Sequence, residues 1–363
     1  MHRALNFSPG PAVLPLSVIE ATKNAVLDFN GIGMSIMEIS HRSKEFDAVI
    51  KEAQADVLNV MNLDSKDFIP LFLQGGASTQ FAMIPMNFMQ KKADYVNTGV
   101  WATKALKEAQ FIAKTGGEQV NEIATSADSN FSYIPKNIAY NDDADYVHIT
   151  TNNTIYGTEW RELPTTKAPL VVDMSSDIFA QQLDFSKASL IYAGAQKNIG
   201  PSGVTLVVIN KAWAETAMQK APTMLRYATH IKEESLFNTP PCLPIYVVGQ
   251  TMKWIIAEGG LLAIEERNKQ KAALVYDVID AHTDFFKACT TAKEDRSLMN
   301  ITFRLPSEEL EEKFIKESKA LDMSGLKGHR SAGGIRASVY NACPIEWVET
   351  LAKYMQAFYT ANK

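Results

Sequence analysis

The sequence predicts an α/β fold, a mainly parallel sheet interleaved with helices and followed by a smaller α+β unit. Three observations predict it. Short runs that are apolar throughout recur between residues 68 and 209, separated by helical or loop segments. Parallel strands covered by helices on both faces have that texture, because neither side alternates with water. The pattern stops at Pro240, Pro241 and Pro244, and a long helical stretch follows. Beyond it strand, helix, strand and helix succeed one another.

Each element follows from local signals. The first 15 residues, with Pro9, Pro11 and Pro15, read as irregular. Ser17 with Glu20 three residues on has capping-box spacing and predicts a helix from about residue 17. Phe46, Val49, Ala53, Val57 and Val60 recur at helical spacing and predict a helix over 43–61. Strands are predicted at Phe68 to Leu73, Tyr95 to Val96, Tyr146 to Ile149, Leu170 to Val172, Leu190 to Ala193 and Thr205 to Ile209. A helical stretch from Ile245 to His282 is interrupted at Gly259 and Gly260. The last part reads as strand (Met299 to Arg304), helix (Ser307 to Leu321), strand (Ile335 to Val339) and a helix from about Pro344. No internal repeat or low-complexity segment interrupts this order.

A chain of 363 residues suggests about two domains and can bury a large core unaided. A net charge of -5 gives no reason to expect nucleic acid or an anionic membrane as partner, so basic residues matter locally. The three cysteines, Cys242, Cys289 and Cys343, are far apart and form no CxxC pair. That argues against a disulfide framework or a zinc site and for a reducing compartment. The first residues carry no apolar signal region, and no stretch approaches the roughly 20 apolar residues that span a bilayer. A soluble cytoplasmic protein without metal is expected.

In such a sheet ligands collect at the carboxyl ends of the strands. Lys197, in AGAQKNIGPSG, follows a buried strand among small residues. A desolvated lysine near positive charge has a lowered pKa and attacks carbonyls. A surface lysine in a turn is an equally good reading of this segment alone. Asp173 ends APLVVD one strand earlier, where a carboxylate can keep a pyridine nitrogen protonated or simply cap a helix. Gly75 to Gln80 joins a strand to a helix with residues small enough for backbone N–H groups to reach an anion. It lacks the Gly-Lys-Ser/Thr of a nucleotide loop. Trp101, after Asn97-Thr98-Gly99, can stack on a flat ring or fill a core. Thr154, in TTNNTIYG, can hydrogen-bond a phenolic oxygen or sit in an ordinary turn. A phosphate cradle, a stacking aromatic, a hydroxyl, a carboxylate and a lysine, all after strand ends, are the groups that a pyridoxal phosphate ring requires.

Along its whole length the chain resembles the phosphoserine aminotransferases. The matching segments are NFSPGPAVLP, GMSIMEISHRSKEF, GGASTQF, NTGVWATKA, NNTIYG, VDMSSD, AGAQKNIGPSGV, NTPP and GHRSAGGIRASVYNA, in that order. The resemblance implies a fold type I, pyridoxal-phosphate-dependent transferase with a mainly parallel seven-stranded sheet. Its large domain would be residues 16–250 and its small domain residues 1–15 with 251–363. It implies a homodimer with shared active sites, acting in serine biosynthesis on 3-phosphohydroxypyruvate and L-glutamate. Some bacterial relatives also use 4-phosphohydroxythreonine in pyridoxine biosynthesis. Lys197 would be the Schiff-base lysine, Asp173 the partner of the pyridine nitrogen, Trp101 the stacking ring and Thr154 the neighbour of the ring hydroxyl. Ala77, Ser78 and Gln196 would bind the cofactor phosphate, joined by Asn238 and Thr239 of the other subunit. Arg336 would bind the substrate α-carboxylate, and His41, Arg42, His329 and Arg330 its distal anion.

One departure stands out. Some members carry an arginine where this chain has Ser78, and that arginine helps to hold the substrate phosphate; serine brings no charge. Two rival readings remain at this level. Another fold type I enzyme, an alanine–glyoxylate type transaminase or a cysteine desulfurase, would share the lysine. A non-catalytic phosphate-binding α/β protein would explain the glycines but neither Lys197 nor the arginine segments.

Overall fold

The computed structural model describes residues 2–363. Strand β1 (Leu5–Asn6) precedes helices α1 (Leu16–Leu27) and α2 (Lys44–Met61). A seven-stranded sheet is then built from β2 (Phe68–Leu73), β3 (Lys92–Asn97), β4 (Gln119–Thr125), β5 (Tyr146–Thr150), β6 (Leu170–Asp173), β7 (Leu190–Gly194) and β8 (Thr205–Asn210). Helix α3 (Gly76–Phe88) follows β2, and α4 (Val100–Gly116) follows β3. The strand order is β2-β8-β7-β6-β5-β3-β4, with β8 antiparallel to both neighbours and every other pairing parallel. The carboxyl ends of β2, β3, β5, β6 and β7 therefore share one edge.

Helices cover both faces, as the apolar strands require. Leu170, Val172, Ile191 and Ala193 face α2 and α7 (Cys242–Ala257), where Phe46, Ile50, Val57, Val248 and Met252 are buried. The intervening Val171, Leu190 and Tyr192 face Phe81, Ile84, Leu106 and Ala109 of α3 and α4. Short helices α5 (Lys211–Ala214) and α6 (Tyr227–Lys232) lead into α7 and α8 (Gly260–Ala281). The second sheet pairs β9 (Lys287–Ala288), β10 (Asn300–Arg304) and β12 (Ile335–Ser338). It packs with α8, α9 (Glu308–Ala320) and α10 (Ile345–Asn362) around Val275, Phe303, Phe314 and Met355. β1 pairs with β11 (Met323–Ser324), so Phe7 and Val13 join this second core. No helix among the described residues is long and apolar enough to cross a membrane.

One local expectation needs correction. The first helix begins at Leu16 with Pro15 as its cap residue and no side-chain cap, because the chain leaves the proline segment already extended. Ser17 lies inside the first turn. The second helix does carry a side-chain cap, with Ser43 Oγ accepting from Phe46 N–H at 3.2 Å.

The two cores meet through buried polar contacts. Asn152 Nδ2 donates to Asn300 Oδ1 at 2.7 Å, and Asn341 N–H to Asn198 Oδ1 at 3.0 Å. Lys271 is fully buried and donates to the carbonyls of Val339 at 3.0 Å and Tyr340 at 2.6 Å, with no carboxylate partner among the described residues. Burial lowers its pKa to about 8. Lys271→Met is expected to lower stability by about 2 kcal/mol, because buried carbonyls lose their donor. The shift in urea unfolding midpoint at constant slope measures it.

Candidate active site

Four loops and two helix starts converge at the carboxyl edge of the large sheet. After β2 the chain turns through Gly75, whose φ is +91°, and enters α3. A Cβ there would lie 2.0 Å from Thr79 Oγ1, so only glycine permits the turn that brings Gly76, Ala77 and Ser78 to the edge. After β3, Gly99 packs so tightly on Asn153 that a side chain would collide with its amide. Asn153 in turn donates to the Thr98 carbonyl, which ties the start of α4 to the loop after β5. These constraints place Trp101 and Thr154 side by side.

Lys197 comes three residues after β7, in a turn. Its Nζ donates to Thr154 Oγ1 at 2.8 Å and lies 5.2 Å from the centroid of the Trp101 ring. Burial lowers the lysine pKa to about 8; Asp173 opposes the shift and Arg336 adds to it. Asp173, at the end of β6, is 3% exposed. Its Oδ1 accepts from Ser175 N–H at 2.9 Å and Ser175 Oγ at 2.7 Å. Burial raises its pKa, while Lys197 and the Ser175 donors pull it back. Behind it Tyr192 Oη sits 2.8 Å from His148 Nε2, and burial holds that imidazole down to about 3, hence neutral.

Arg336, on β12, reaches the same place from the second sheet. It is 6% exposed, and its guanidinium donates to the Thr154 carbonyl at 3.3 Å. Thr154 thus meets the lysine through its hydroxyl and the arginine through its backbone.

These groups enclose a cavity of about 340 Å³. Ala77, Ser78, Trp101, Thr154, Asp173, Gln196, Lys197, His329 and Arg336 line it, as the sequence leads one to expect. Pro9, Gly10, Ile155 and Ser175 also line it and were not singled out. Gly10 had a readable signal in the SPGP segment: a Cβ there would come within 3.1 Å of Lys197 Cγ. The remaining candidates are elsewhere in the chain. His41 and Arg42 lie in the turn before α2, and Arg330 borders a separate groove beside α9. Asn238 lies at Gln74, whose amide donates to the Thr239 carbonyl at 3.2 Å.

The residues fit pyridoxal phosphate. The cavity is within the usual size range for small-molecule sites. The buried Trp101 Nε1 and Arg336 Nε have no partner among the described residues, which leaves donors for a bound molecule. No cysteine lines the cavity, and burial raises the pKa of Cys242, Cys289 and Cys343. An activated catalytic thiolate, as a desulfurase needs, is therefore missing from the site.

Comparison with known proteins agrees with this geometry. A family model described as aminotransferase class-V matches residues 4–351. The chain is 52% identical to a phosphoserine aminotransferase of Desulfosudis oleivorans, over 99% of each chain. Among solved structures it is similar to phosphoserine aminotransferase from Bacillus circulans subsp. alkalophilus, with a TM-score of 0.95 and 47% identity over 99% of each chain. It is also similar to the PLP-bound phosphoserine aminotransferase of Trichomonas vaginalis, with a TM-score of 0.92 and 36% identity over 98% of this chain and 100% of that one.

Proposed function

The chain belongs to the phosphoserine aminotransferases of aminotransferase class V, and on that footing we propose that Lys197 and Asp173 carry its transamination. The reaction interconverts 3-phosphohydroxypyruvate plus L-glutamate with O-phospho-L-serine plus 2-oxoglutarate, a step of serine biosynthesis. Use of 4-phosphohydroxythreonine in pyridoxine biosynthesis is a second activity of the same site. The observation that carries this reading is the convergence on one buried amine. Lys197 Nζ meets Thr154, Trp101 and the charge of Asp173 in a single cavity that ends at Arg336.

Bound pyridoxal phosphate supplies an electron sink for the pair left on the substrate α-carbon. Lys197 would hold the cofactor through its amine and, as the one amine among the described residues that line the cavity, would take and return the substrate's α-proton. Asp173 would accept from the pyridine N–H, and the burial that raises its pKa suits it to share that proton. Trp101 would stack on the ring and Thr154 would hydrogen-bond its phenolic oxygen. Ala77 and Ser78, at the N-terminus of α3, bind the phosphate with Gln196, where free N–H groups and the helix dipole favour an anion.

Arg336 binds the α-carboxylate as a planar fork. Arg336→Lys is expected to raise the half-saturating concentrations of glutamate and phosphoserine about tenfold or more, with a smaller change in limiting rate. Titrating each half-reaction by cofactor absorbance measures it; unchanged values would remove Arg336 from this role.

His41, Arg42, His329 and Arg330 bind the distal anion, and Asn238 and Thr239 reach the cofactor phosphate from the second subunit of a homodimer. Exposed apolar residues flank both segments: Met34 and Met37 near His41, Phe237 beside Asn238. Such clustering is what a subunit interface covers. We place the functional division at residues 16–250 and at 1–15 with 251–363. The cytoplasm suits its three free cysteines.

The test is a titration of the bound cofactor with phosphoserine, glutamate, alanine and 4-phosphohydroxythreonine. Conversion by phosphoserine and glutamate is expected. Conversion by alanine but not phosphoserine would make it a different transaminase.

A further inference from the structure

We propose that Lys104 supplies a positive charge that reads the distal phosphate of the substrate, in compensation for the uncharged Ser78. This deepens the transaminase reading above and rests on it. The α3 side of the cavity presents Gly76, Ala77 and Ser78, none of them charged. A phosphate monoester carries nearly two negative charges and calls for cations at its rim.

Lys104 stands one helical turn after Trp101 on α4, and residues three apart share a helix face. Its Nζ lies 4.4 Å from the centroid of the Trp101 ring, which is itself a wall of the cavity. Its charge is also felt at His329, another residue of the cavity wall. Burial, Arg336, Arg330 and Lys104 together hold the His329 pKa down, and no carboxylate opposes them. Lys104 has no carboxylate partner among the described residues, although many of the chain's lysines do. A lysine laid over tryptophan is often only surface packing. Here the ring belongs to the site, the ammonium has no carboxylate partner among the described residues, and the charges that act on His329 are all positive. A compact ammonium on a flexible stem binds phosphate as a point charge, without needing the fixed fork of an arginine.

The experiment compares Lys104→Met and Lys104→Arg with the parent holoenzyme. Phosphoserine and glutamate half-reactions are titrated by cofactor absorbance, and inorganic phosphate is titrated as an inhibitor of the glutamate half-reaction. Lys104→Met is expected to raise the half-saturating phosphoserine concentration roughly tenfold or more. The glutamate value, for a singly charged distal group, should move by less than about threefold. Inhibition by inorganic phosphate should weaken in parallel, and Lys104→Arg should restore both. An unchanged phosphoserine value overturns the proposal. So does an equal rise for both substrates or a loss of cofactor absorbance, which would assign Lys104 to packing Trp101. A parent enzyme that converts glutamate but never phosphoserine would defeat the substrate reading itself, a distinct outcome.

Discussion

Lys197→Ala is expected to abolish turnover and to remove the visible absorbance of the cofactor-loaded protein. Among the described residues, the Lys197 amine is the one amine that lines the cavity. Its lowered pKa of about 8 matters quantitatively. At pH 7 roughly a tenth of such an amine is neutral, against well under a thousandth for an unperturbed lysine. Losing proton transfer alone costs about 10²–10⁴ in rate, and losing the covalent hold adds to that. Lys197→Arg separates charge from chemistry, because it keeps a cation beside Asp173 but cannot condense with an aldehyde. Both variants should fail equally in an assay for 2-oxoglutarate, with unfolding midpoints near the parent's. An active, coloured Lys197→Ala protein would sink the assignment.

Much of this site was legible because each group follows a short apolar run. Asp173 ends β6, Lys197 and Thr154 stand within four residues of the ends of β7 and β5, and a parallel sheet delivers such residues to one edge. Trp101 was legible for the same reason, and it lies in the first turn of α4. The unread parts were hidden for physical reasons. Strand β4, Gln119–Thr125, is an edge strand with exposed and half-buried positions, so it has no apolar run. Lys271 has the look of a solvated lysine in a charged helix. Its burial is set by carbonyls 68 and 69 residues away, which no local pattern encodes. The same holds for the buried Asn152 to Asn300 contact, at a separation of 148. His41 and Arg42 were named only through family resemblance, and a single chain does not carry them to the cavity.

Asp173→Asn is the other change with a large expected effect, and it tests electrostatics without disturbing shape. The amide oxygen can still accept from Ser175 N–H and Oγ, which now hold the carboxylate at 2.9 and 2.7 Å. The strand end should therefore stay in place. What is lost is the proton acceptor opposite the ring nitrogen, and with it the positive charge that draws electrons from the substrate. Removing a preorganised group of that kind costs about 10²–10³ in limiting rate. The half-saturating substrate concentrations should move little, since the interaction strengthens as charge develops. A second signature follows at Lys197. Asp173 is the largest influence holding the amine's pKa up, ahead of Asp177, against burial and Arg336. Without that charge the lysine pKa falls below about 8, so the rate at which apoprotein captures cofactor should reach its plateau at lower pH. A cofactor methylated at the ring nitrogen keeps its positive charge whatever faces it, and should return part of the lost rate to the variant. A merely structural carboxylate would give neither the pH shift nor the rescue, and a variant at parental rate would show that the ring nitrogen needs no partner at this position.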